Sequence, residues 1–156
     1  MTQNKPKTQR QKRIEKIQIL YQVELLNLQK DFDFVLNMEP YLDAKQTKEV
    51  FVVLKNYDYF KNFLESLLDP SWNWQRLSYM LRAILLNACA EFEFIDARIV
   101  INEAVEITKI FFQLTSDTSA KEYNSIDYNL FKFTNALLET YYKTKVKIEA
   151  FKSNVK

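Results

Sequence analysis

None of the 156 residues of this chain is glycine, and only 3 are proline. Glycine is the default residue where a backbone must take positive φ, so left-handed positions here fall to Asn or Asp or are avoided. Two-residue hairpin turns depend on such positions, and a hairpin-rich β fold is therefore disfavoured. Helices joined by polar loops meet no such obstacle. The apolar pattern agrees. Ile14, Ile17, Tyr21, Leu25 and Leu28 recur at helical spacing, as do Val50, Val53, Leu54, Tyr57, Phe60 and Leu64. No segment alternates as a half-buried strand does. The expectation is an all-α fold of six to seven helices.

Local signals place the elements. Residues 1–12 lack apolar periodicity and read as a flexible basic arm, with a single domain over 13–156. A first helix starts at Arg13. A short apolar segment, Phe32–Met38, is closed by Pro40. One long helix is expected from Asp43 to Leu68, ended by Asp69-Pro70. Ser71 is the N-cap expected for the next, which runs to about Phe92. Asp96 caps a fifth helix ending near Phe112. Residues 113–125 read as a polar loop. The last helix starts near Asp127 and passes Tyr142 into a lysine-rich extension.

The same composition removes much enzymology. Without Gly there is no phosphate-cradling loop, and with 0 His the usual proton shuttle and commonest metal ligand are missing. With 1 Cys there is neither a disulfide nor a thiolate zinc site. Cys89 lies among Leu85, Ala88 and Phe92 and reads as a small core residue rather than a nucleophile. Glu103 and Glu106 share a helix face, yet no nucleophile, base or metal ligand accompanies them. They read as a polar network or a solvated face. No enzyme, cofactor, metal or small-molecule substrate is expected. No secretory leader or membrane span is visible, and a cytoplasmic location is the simplest reading.

Charge is informative in its distribution. Lys5, Lys7, Arg10, Lys12, Arg13 and Lys16 against Glu15 make residues 1–16 net +5. Residues 143–156 are net +4, although the whole chain is only +2. Two basic ends thus flank an acidic body. Such tails solubilise, or they grip a polyanion.

Four strings along the chain narrow the choice. Gln18-Ile19-Leu20-Tyr21-Gln22 with Glu24 is similar to ALQALYQWE. Trp72–Leu85, WNWQRLSYMLRAIL, is similar to WSLERLPKIDRAIL, and Glu91 follows. Ile101–Lys109, INEAVEITK, is similar to INEAVELAK. Phe131–Leu138, FKFTNALL, is similar to KFVNGVL or KFVNAIL. In this order and at this spacing they resemble the NusB family of bacterial transcription antitermination factors. At Leu81 the family instead carries an acid, which belongs to its ribosomal-protein surface, and at Leu86 it carries an Arg.

The resemblance implies two packed three-helix subdomains. It also implies a heterodimer with the ribosomal protein that doubles as Nus factor E, and binding to boxA-like single-stranded RNA of ribosomal RNA leaders. On that reading the arm residues Lys5, Lys7, Arg10, Lys12, Arg13 and Lys16 meet phosphates. Lys132 meets another, Phe133 offers a face for a base, and Tyr21 lies on the partner surface. The alternative is a non-catalytic protein–protein interaction domain of the same fold that binds no RNA.

Overall fold

A computed structural model describes residues 5–112 and 129–154. Among them are seven α-helices and no strand, so the expected all-α class holds. The helices are α1 (Gln9–Leu26), α2 (Phe32–Leu36), α3 (Ala44–Lys55), α4 (Tyr57–Ser66), α5 (Tyr79–Glu91), α6 (Ala97–Phe112) and α7 (Leu130–Asn154). A single 3-10 turn, Trp74–Arg76, precedes α5.

α5 is the central element. Every residue from Leu81 to Glu91 is buried, so no side of this helix is reserved for water. α1 and α3 pack against it on one side, while α6 and α7 pack on each other and both reach it. Both C-terminal motif helices thus contact α5. One continuous core results, running from Ile17 and Leu20 through Leu54, Leu64 and Ile84 to Ile107, Leu138 and Tyr141.

Polar side chains at the helix ends set the boundaries, and several differ from expectation. α1 starts at Gln9, not Arg13. Thr8 accepts a hydrogen bond from the Gln11 N–H while the Gln11 side chain accepts from Thr8 N–H, a reciprocal capping box that extends the helix into the basic segment. α1 ends at Leu26 and is capped by Asn27, whose φ of 58° is the one positive value among the described residues. Asn there meets the left-handed requirement in a chain without glycine.

The helix expected over Asp43–Leu68 is two. Asp43 and Gln46 form a second capping box at its start. At Asn56 the backbone leaves helical geometry, and the Asn56 amide donates back to Val52 O at 2.8 Å. Such back-bonding by a short amide competes with the helical ladder. Further on, Ser78 rather than Ser71 caps α5, accepting from Leu81 N–H. Asn73 caps the preceding 3-10 turn, and Ser71 instead hydrogen-bonds Asp69. Asp96 precedes α6 as expected, accepting from Arg98 N–H at 2.9 Å. The lysine-rich extension is helical as far as Asn154. The start near Asp127 and the loop over 113–125 lie outside the described residues.

Candidate nucleic-acid interface

The basic N-terminal segment is not a set of equivalent solvated charges. Its start has an exposed Lys5. Lys7 pairs with Glu15 at 2.6 Å and lies over the Tyr41 ring at 5.4 Å. Lys12 pairs with Asp43 at 3.3 Å. Arg10 grips Glu103 through two nitrogens, at 2.8 and 3.0 Å. These side chains stay at the surface, where an ion pair is worth little and exchanges readily for another anion.

Arg13 and Lys16 differ. Helical periodicity alone lets them project from the first turns of α1, but both are buried, at 8% and 3% exposure. Arg13 Nε donates to both Glu91 oxygens at 2.8 Å, and its Nη1 lies 3.7 Å from Glu103. Lys16 reaches Glu91 at 3.1 Å and also bonds Glu49. Asn87 donates to Glu91 at 2.9 Å. Burial acts to raise the Glu91 pKa. The Arg13 hydrogen bond and the charges of Lys16 and Arg13 outweigh it, leaving the carboxyl below its usual range. A buried charge satisfied in this way joins α1 to α3 and α5 and is not presented to solvent.

A second buried ion pair comes from the strings similar to the family, with Glu24 Oε1 left without a hydrogen-bond partner among the described residues. Arg82 pairs with Glu24 at 3.3 Å and donates to the carbonyls of Trp74 and Gln75. Glu103 is taken up by Arg10 and Arg13, and Glu106 by Lys109 at 3.4 Å, so their role is ion pairing within the fold. Cys89 is fully buried, and burial pushes its thiol pKa up. Among the described residues no cluster suits a metal ion, and no helix is long and apolar enough to cross a membrane.

A second patch gathers at the start of α7. Lys132 is exposed, 6.0 Å from the Phe131 ring, and Lys109 of α6 covers that ring at 4.9 Å. Phe133 is half-buried. Its ring lies 6.2 Å from Trp72 at an interplanar angle of 38°. Arg76 lies over Trp72 at 5.4 Å and is itself exposed. Phe133 is thus one member of a surface cluster with Trp72 and Arg76, which sequence spacing did not bring together. The signal available was the presence of Trp72 and Arg76 in the second string similar to the family.

No ion pair, hydrogen bond or ring contact joins the arm to Lys132 or Phe133 among the described residues. α6 lies between the two groups. Glu103 receives Arg10, and Lys109, six positions on, covers Phe131; that is about 9 Å along the helix axis. Tyr21 is half-buried on α1 and packed against the core. Leu81 is only 2% exposed, so it serves the core and presents nothing to a partner.

The model of the NusB family matches residues 10–143. The chain belongs to the NusB family. This match takes in α1 through the first half of α7, including Arg10, Lys12, Arg13 and Lys16 of the basic segment and the cluster around Phe133, while Lys5 and Lys7 precede it. Among solved structures, Thermotoga maritima NusB is similar at a TM-score of 0.66 and 22% identity, over 89% of this chain and 93% of that one. That likeness is one of fold. A comparison with curated proteins found no match. NusB membership places the protein generally among transcription antitermination and RNA-binding factors, a non-catalytic family.

Proposed function

We propose that this protein is a cytoplasmic antitermination factor that binds boxA-like single-stranded RNA of ribosomal RNA transcripts. It acts without catalysis and together with the ribosomal protein that serves as Nus factor E. The observation that carries the reading is the family match across α1 and α7, combined with a row of surface cations at the start of α1. Lys7, Arg10 and Lys12 exchange their internal anions for phosphates, and the exposed Lys5 adds another contact. Lys132 adds a further phosphate contact. Phe133, supported by Trp72 and flanked by Arg76, offers a face for one base.

Arg13 and Lys16 take a different part in this reading. They hold the start of α1 in place through Glu91, so that the outer cations stand at a defined position. Tyr21 contributes to the partner surface from the middle of α1. The buried Leu81 supplies no acid there, so the ribosomal-protein contact rests on other groups.

One observation favours the second reading, a protein-binding domain without RNA. Lys7, Arg10 and Lys12 are already neutralised by Glu15, Glu103 and Asp43. Titration of a fluorescent boxA-like oligonucleotide over a range of salt, with and without the ribosomal protein, separates the two. Affinity that falls steeply with salt and rises with the partner supports the first reading. No RNA affinity at low salt, with the ribosomal protein still bound, supports the second.

A further inference from the structure

α7 carries an apolar stripe that outlasts the body it packs on. Leu130, Thr134, Leu137 and Tyr141 follow at steps of four, three and four, and all are buried. Thr144, Ile148 and Phe151 continue the same alternation of three and four. Exposure along this row rises from 0% at Tyr141 to 37% at Ile148 and 71% at Phe151. The helix remains continuous to Asn154, beyond the stretch shared with the NusB family. A 3–4 repeat is the pattern against which one further helix packs side by side.

The other wall of the vacant space is present. Tyr59, Asn62, Phe63 and Ser66 of α4 face Thr144 and Ile148 across an apolar groove of about 380 Å³. The Phe63 ring already packs on Tyr141, tilted at 51° with centroids 4.5 Å apart, where the groove meets the core. Tyr59 is 55% exposed beside it.

Charge decides the occupant. In the heptad set by this stripe, Lys145 and Lys152 hold the position after one core column and Lys147 the position before the other. These are the flanks that meet a partner helix. Lys145 is held by Glu93 at 3.6 Å and Glu149 at 2.6 Å. Lys147 and Lys152 are exposed and in no ion pair among the described residues. A second copy of this chain would bring lysines against lysines.

We infer that the α4–α7 groove and the end of α7 dock one amphipathic helix of another protein, apolar at 3–4 spacing and acidic on its flanks. This surface is separate from the RNA contacts proposed above and stands whether or not those hold.

The test uses the full chain and two synthetic helical peptides with the same leucine 3–4 face, one flanked by glutamates and one by lysines. The glutamate peptide is expected to bind about tenfold more tightly than its twin. Phe151→Asp, at an exposed site, is expected to weaken it about tenfold without loss of helicity. Lys147→Glu with Lys152→Glu is expected to reverse the preference toward the lysine peptide. Equal binding of both peptides, or of neither, overturns the inference. So does a concentration-dependent dimer abolished by Phe151→Asp, which assigns the face to a second copy. Partition into phosphatidylglycerol vesicles without peptide binding overturns it in favour of a lipid surface.

Discussion

Arg13 Nε donates to both carboxylate oxygens of Glu91 at 2.8 Å, joining residues 78 positions apart inside the protein. Lys16 and Asn87 complete the shell of that carboxylate. The bond is what turns the inner end of a basic segment into part of the core. It also separates cations that hold the fold from cations free to meet a polyanion.

Arg13→Ala leaves Glu91 buried with half its compensation. The expected cost is about 3–5 kcal/mol of folding stability, read as a lower denaturant midpoint at unchanged slope. RNA affinity per folded molecule is expected to stay within about twofold, since an enclosed guanidinium has no phosphate to lose. A large affinity loss in a fully stable variant would return Arg13 to the contact surface.

Stability is expected to fall in acid through Glu91. Its folded pKa is depressed, because Arg13 and Lys16 outweigh the opposing effect of burial. A depressed carboxylate contributes stability that is present above the unfolded value of about 4.3 and is lost as pH falls through the folded one. Glu91→Gln is expected to flatten the stability profile below that range. Urea melts between neutral and acid pH measure it, and an unchanged acid limb would assign the acid sensitivity to other carboxylates.

Salt slopes sort the cations. If Lys5, Lys7, Arg10 and Lys12 neutralise about four phosphates, the slope of log affinity against log salt is about −3 for single-stranded RNA. Replacing Lys5, Lys7 and Lys12 with Gln together should reduce it by about two. α1 should remain folded, since the Thr8–Gln11 box and the Glu91 cluster are untouched. An unaltered slope would make these lysines a solubilising surface only.

Phe133→Ala is expected to weaken RNA binding by about 1–3 kcal/mol, the loss of one stacked base. Because the ring is half-buried against Trp72, some stability should go with it, so affinity is scored per folded molecule. Trp72→Leu is expected to weaken binding in the same direction by loosening the ring's support. A stability loss of about 3–5 kcal/mol with affinity intact would define Phe133 as a core residue.

Cys89 should be silent to thiol reagents in the native state. It is fully buried and its thiol is pushed up by burial. Labelling by iodoacetamide is expected to follow the rate of global unfolding and to become fast only in denaturant.

Absence of glycine, 3.6-residue apolar spacing and local capping signals are properties of short stretches, so the sequence was enough for the helical class and for most helix positions. Asp96 acts on neighbours a few residues away, which is why its capping role was readable. The break at Asn56 and the shift from Ser71 to Ser78 were not. There the Asn56 side chain bonds back to Val52 O and Ser71 bonds Asp69, contacts that apolar spacing does not register. The family strings told which segments matter but not why. Arg13, Lys16, Glu24, Arg82 and Glu91 read alike as charges along a line, and only the fold made them two buried ion clusters, because a partner 58 or 78 positions away has no local signature. The same limit applied to Phe133, whose neighbours Trp72 and Arg76 are supplied by a different element. Local chemistry determined the elements; desolvation by distant parts of the chain determined which of their charges and rings remain available for binding.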